Sequence, residues 1–174
     1  VGIMEKEGET VLRLMAAKVR GATRELDEGI GTVYERVVIE DYFRDLQKRC
    51  KLKNILENPA EGVTGVPGMN SLEFARNGAT GTLSNPSDKM LDGARAVWVN
   101  QGLVDQATFV KCPVDQLPFE DDTLDMVWNY CMFERFKDPS TLVAEMKRVS
   151  NRYVLILPQH RSNWASMFTT RSHN

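Results

Sequence analysis

The sequence predicts an α/β protein built on a doubly wound, mostly parallel sheet with helices on both faces. Three observations carry that reading. After Leu52, short apolar runs alternate with stretches of helical periodicity, which is the order of a βαβ chain. The first of these runs ends in an acid and is followed by glycines at 62, 65 and 68, a composition that lets backbone turn sharply beside a ligand. The run 124–128 is apolar almost throughout, as suits a strand in the middle of a parallel sheet. With 174 residues the chain can bury one core. The expected organisation is a helical segment over 1–51, acting as lid or cap, and a sheet domain over 52–174.

Each element is justified by pattern and punctuation. Val11, Met15, Val19, Ala22 and Leu26 recur at helical spacing. Gly29 and Gly31 interrupt them, and Thr32 is suited to cap a second helix. Along that helix Tyr34, Val37, Val38, Tyr42 and Leu46 are expected as the apolar stripe, ending among Lys48, Arg49 and Lys51. Strands are expected over 54–57, 80–84, 108–111, 124–128 and 153–157. Helices are expected over 70–76, over 87–101 behind a Ser87 cap, and over 140–149. Gly102 and Pro158 supply stops.

Composition narrows the function classes. A net charge of −2 and a pI near 5.8 argue against a dedicated nucleic-acid binder, which normally carries a basic stripe. The three cysteines lack metal-ligand spacing and read as free thiols of a reducing compartment. Two histidines, His160 and His173, cannot make a His-rich metal site. No apolar run approaches the roughly 20 residues of a membrane span, and the N-terminus lacks the order of a signal peptide. The expected location is the cytoplasm.

In a doubly wound sheet, ligands bind at the carboxyl ends of the strands, near the point where strand order reverses. The candidate site therefore comprises the loops after Glu57, Ser84, Lys111 and Trp128. Ile55-Leu56-Glu57 with Gly62, Gly65 and Gly68 forms one constellation: a carboxylate suited to an ammonium or hydroxyl beside exposed backbone amides. Alone, it is equally an ordinary glycine-containing loop. The second constellation is 117–129, LPFEDDTLDMVWN, a turn, an acidic loop and an apolar strand ending in Asn129.

Taken in order, these blocks resemble class I S-adenosylmethionine (SAM) methyltransferases of the "methyltransferase type 11" kind, over about 54–158. Ile55-Leu56-Glu57 and the following glycines resemble the family's first strand and methionine-holding loop. Asn85-Pro86-Ser87-Asp88-Lys89-Met90-Leu91 resembles the ribose-binding strand end and the helix after it. Cys112 to Val127 resembles the adenine-side segment, the Leu-Pro-Phe turn and the fourth strand. Phe133-Glu134 and Asp138-Pro139 resemble the family's next block, and Glu145-Met146-Lys147-Arg148-Val149 the helix before its fifth strand. The resemblance implies a Rossmann-like SAM-binding domain over 52–174 and an enzyme that transfers a methyl group to an unidentified, small-molecule acceptor. It implies SAM contacts from Glu57, Gly62, Gly65, Asn85, Asp115, Gln116, Leu117 and Asn129. Asn129 and Tyr130 are implied beside the transferred methyl, as the residues that orient the acceptor.

The chain also departs from the family pattern. Pro59, Glu61 and Val63 stand where that pattern has glycines, Asn85 stands in place of the ribose acid, and Pro113 replaces one adenine-side acid. These departures motivate the alternative of a methyltransferase-like binding or scaffold protein without catalysis. A nicotinamide oxidoreductase fits less well, because its glycine fingerprint is absent and the Leu-Pro-Phe block has no role in it. The family's usual helix and C-terminal hairpin are not evident in residues 159–174. The expectation is an incomplete piece, or a short sheet whose last strand is an edge open to a partner chain, including a homodimer. Glu134 reads as a base or, in preference, a solvated charge; Tyr34 and Tyr42 as a lid or, in preference, core. His160 reads as a substrate-side residue or, in preference, a loop residue making one hydrogen bond. Trp98 and Trp128 are expected in the core.

Overall fold

The computed structural model describes residues 30–61 and 66–158, with the side chains of 30–35 and 134 left aside. The helix expected over 11–26, the Tyr34 ring, Gly62, Gly65, His160 and the segment 159–174 lie outside these described parts.

Among the described residues, four α-helices and five strands are ordered as α1 (Ile30–Cys50), β1 (Asn54–Glu57), α2 (Leu72–Arg76), β2 (Thr80–Asn85), α3 (Asp88–Asn100), β3 (Ala107–Lys111), β4 (Leu124–Tyr130), α4 (Ser140–Val149) and β5 (Ser150–Leu157). All strand pairs are parallel, in the order β3-β2-β1-β4-β5. The expected doubly wound α/β sheet is the one observed.

Strand alternation sorts the side chains to two faces. Ile55, Met126 and Trp128 face α1 and α2, where Ile39, Phe43 and Phe74 complete one core. Leu83 meets Trp98 and Ala94 of α3 on the same side. Leu56 and Val127 face the other way, against Leu142, Met146 and Val149 of α4. Trp98 and Trp128 are both fully buried, as expected.

The stripe expected on the long helix is buried only in part, at Val37 and partly at Leu46, and Thr32 lies inside α1 instead of capping it. Val38 and Tyr42 are exposed, whereas Ile39, Phe43 and Gln47 are buried. Two apolar series compete on this helix. Phe43 decides between them, its ring lying 4.5 Å from Phe74 and 4.8 Å, edge-on, from Trp128.

Two glycines shape the α3 contact. Gly68, at φ +69, would place a Cβ 2.1 Å from Leu83, and its carbonyl accepts the Trp98 indole N–H at 3.1 Å. A Cβ at Gly81 would stand 2.7 Å from the same indole. Gly68, expected in a ligand loop, is thus also a packing residue.

Asp125, expected only as an acid before an apolar run, sets register. Its carboxylate accepts the Lys53 amide at 2.6 Å, and Asn54 exchanges bonds with the Thr123 carbonyl and the Asp125 amide. These bonds align the starts of β1 and β4, and so fix where their carboxyl ends fall.

Candidate functional site

Strand order reverses between β1 and β4, so the loop leaving Glu57 crosses the switch point of the sheet. Its main chain is held on both sides: the Asn58 amide donates to the Trp128 carbonyl (3.0 Å) and the Ala60 amide to the Ser84 carbonyl (2.8 Å). The Asn58 side chain is fully buried. It accepts from Ser84 Oγ and donates to the Val114 carbonyl, both at 2.8 Å, which joins the loops after β1 and β3.

Glu57 is buried at the centre of this rim. Ser71 Oγ donates to Glu57 Oε2 at 2.6 Å and accepts from the Trp128 indole N–H at 3.1 Å. Among the described residues no lysine or arginine pairs with this carboxyl. Burial pushes it up to about 8, against which the Ser71 bond works, while nearby Glu61 pushes the same way as burial. Such a group is short of positive charge, and an ammonium or sulfonium brought to the rim would meet that need.

Asn85, ending β2, is also buried. Its Nδ2 donates to the Ala60 carbonyl (2.9 Å) and to Glu61 Oε1 (3.3 Å), and its Oδ1 accepts the Ser87 amide (2.8 Å). Glu61 Oε2 lies 3.4 Å from Arg135 Nη1, which comes from the 3₁₀ turn after β4. Lys111, ending β3, forms an ion pair with Asp88 at the start of α3.

Asp115 and Gln116 lie on the loop after β3, both exposed. Leu117 is buried, its side chain in the α4-side core. Its amide donates to Glu145 Oε2 (2.9 Å) and its carbonyl accepts from Arg148 Nη2 (2.9 Å). Arg148 also donates to the Phe119 carbonyl and to Asp121, both at 2.8 Å, and grips Glu145 through two nitrogens. That grip holds the Glu145 carboxyl down to about 2, helped by the Leu117 amide.

At the end of β4, Asn129 and Tyr130 leave the strand on opposite faces. Asn129 is fully buried and donates to Met146 Sδ of α4 at 3.3 Å; its Oδ1 has no partner among the described residues. Tyr130 packs, half-buried, with the α1-side core. Cys131 comes next, in the left-handed region at φ 53.

The sequence-predicted residues therefore divide. Glu57 and Asn85 meet at one rim, with Asp115 and Gln116 on an adjoining loop; Leu117 lies in the core and Asn129 beneath α4. Asn58, Ser71 and Glu61 hold the rim together and Arg148 holds the turn 117–121 that leads to β4, although sequence reasoning assigns them no site role. Glu61 stands out in the sequence only as a substitute for glycine, and Arg148 only as one letter of a helix motif; Ser71 carries no local signal. Among the described residues no group of His, Cys, Asp or Glu side chains could hold a metal ion.

Residues 63–153, slightly more than half of the chain, match the family model described as methyltransferase domain. The chain belongs to the methyltransferase-domain family. Solved structures similar to it include the YcgJ protein from Bacillus subtilis, at 18% identity over 68% of this chain and TM-score 0.56. A SAM dependent methyltransferase from Aquifex aeolicus is 17% identical over 74% of this chain and 76% of its own, with TM-score 0.55. Geranyl diphosphate methyltransferase in complex with SAM is 15% identical over 77% of this chain and 56% of its own, with TM-score 0.57. At these identities the structures share a fold with this methyltransferase-domain chain. It spans about half the length of the first of them, 49%. No curated protein matches it. No helix among the described residues is long and apolar enough to cross a membrane.

Proposed function

We propose that this methyltransferase-domain chain binds S-adenosyl-L-methionine at the carboxyl ends of β1 and β2 and transfers its methyl group to a small-molecule acceptor. The observation that carries the reading is Glu57, a buried carboxyl at the switch point with a hydroxyl donor and no cationic partner among the described residues. When bound, SAM supplies an activated methyl on a sulfonium, so the residues have to align the acceptor and exclude water. Glu57 receives the ligand's positive end. Gly62 and Gly65 give it backbone amides, and Asp115, Gln116 and the main chain at Leu117 flank the adenine. Tyr130 orients the acceptor, while Asn129 supports the β4 end from the α4 side. The segment 1–51 covers the acceptor. Free thiols at Cys50 and Cys112 fit a cytoplasmic setting. β5, an outer strand of the sheet with Tyr153 exposed, is proposed as the face of a homodimer.

Calorimetric titration of the full chain with SAM and with S-adenosylhomocysteine tests this. Saturable binding of both is expected. A second reading, a scaffold without catalysis, is favoured by the closure of Asn85 onto its own loop. A folded chain that binds neither compound would establish that second reading in place of the first.

A further inference from the structure

We infer that Glu61, held in place by Asn85, supplies the carboxylate that receives the ribose hydroxyls of the cofactor. The inference rests on the SAM-binding reading above and names a residue that the reading does not. A vicinal diol donates two hydrogen bonds, and a carboxylate with free lone pairs is its natural acceptor. Position 85 has an amide there. Both ends of that amide are taken up by the chain, by Ala60 and Glu61 on the nitrogen and by the Ser87 amide on the oxygen, and the residue is 1% exposed. Glu61 has the missing charge. Its side chain is 19% exposed, and one oxygen takes a bond from Asn85 at 3.3 Å while the other lies 3.4 Å from Arg135. Each oxygen keeps a further lone pair. The acid stands in the β1 loop, where the family pattern has a glycine, and an amide stands at the end of β2. The pair works only because an asparagine, unlike an aspartate, can donate to its neighbour.

The test is titration of wild type, Glu61→Gln, Asn85→Asp and the double variant with S-adenosylhomocysteine and its 2′,3′-dideoxy analogue, each variant first checked by thermal unfolding. Glu61→Gln is expected to weaken S-adenosylhomocysteine binding on the order of tenfold and to leave the 2′,3′-dideoxy analogue nearly unchanged. Asn85→Asp sets two carboxylates against each other and is expected to weaken binding, and the double variant to recover it. Should Glu61→Gln not fold, Glu61→Asp, which withdraws the carboxyl by one methylene, is expected to show the same selective loss. Equal losses for the two ligands, or none, would overturn the assignment to Glu61 while leaving SAM binding in place. Failure of folded wild type to bind either ligand would overturn the SAM-binding reading itself.

Discussion

A carboxyl buried at the end of β1 with a hydroxyl for a partner lowers stability whenever it is ionised. Glu57 sits near 8 in the folded chain against an ordinary 4.5, so folding retains its proton. Below about 4.5 both states are protonated and the group is neutral in effect. As pH rises from there towards 8, stability falls by up to about 1.4 kcal/mol per pH unit, and above 8 the loss is complete. Urea unfolding of wild type and Glu57→Gln across pH 5–9 should show this slope in wild type and a flatter profile in the variant. A cationic ligand reverses the preference. Its binding at pH 6–7 should release a proton, and calorimetry in buffers of different ionisation enthalpy reads that release directly. Glu57→Gln should release none. Packing offers a separate residue-scale contrast. Gly68 and Gly78 both have positive φ, but a Cβ at Gly68 strikes Leu83 whereas one at Gly78 meets nothing within 4 Å. Chemical denaturation should find Gly68→Ala costing about 2–4 kcal/mol and Gly78→Ala about 1–2 kcal/mol. At this scale the sequence identifies residue types well and partners poorly. Glu57 is legible because it ends an apolar run. Ser71 is not, since the bond from a loop serine to that acid exists only after α2 has packed on the sheet.

The turn 117–121 is the element whose chemistry is clearest in hindsight. Its Leu-Pro-Phe letters and the Glu-x-x-Arg letters of α4 are separate motifs in the sequence, and the fold makes them one device: Arg148 and Glu145 bind the main chain of Leu117 and Phe119. Hydrogen exchange should detect it. Arg148→Met should accelerate amide exchange over 117–121 on the order of tenfold while leaving β1 and β2 protected. If the turn is held instead by its own proline and apolar side chains, exchange there will not change. Strand and helix positions track local pattern closely, as with β1 over Asn54–Glu57 and α4 over Ser140–Val149. The face of α1 does not. Val38 and Tyr42 are as apolar as Ile39 and Phe43, and only the tertiary contacts with Phe74 and Trp128 choose between them.

For the molecule as a whole, the order β3-β2-β1-β4-β5 places the switch point between β1 and β4 and directs the loops after β1, β2 and β3 to one rim. The alternation of apolar runs and helical stretches implies a parallel sheet, and the ordered motifs identify its family. Neither predicts that the rim would be tied together by its own polar side chains, with Asn58 bridging two loops and Glu61 joining Asn85 to Arg135. Those ties depend on residues far apart in the chain, where spacing carries no information. The most direct measurement is a crystal structure of the full chain with S-adenosylhomocysteine. The account predicts an adenosyl group at the carboxyl ends of β1 and β2, with the homocysteine ammonium of the ligand facing Glu57. A folded chain that crystallises with the ligand at another place, or with Glu57 still turned only to Ser71 and the rim closed, would contradict it.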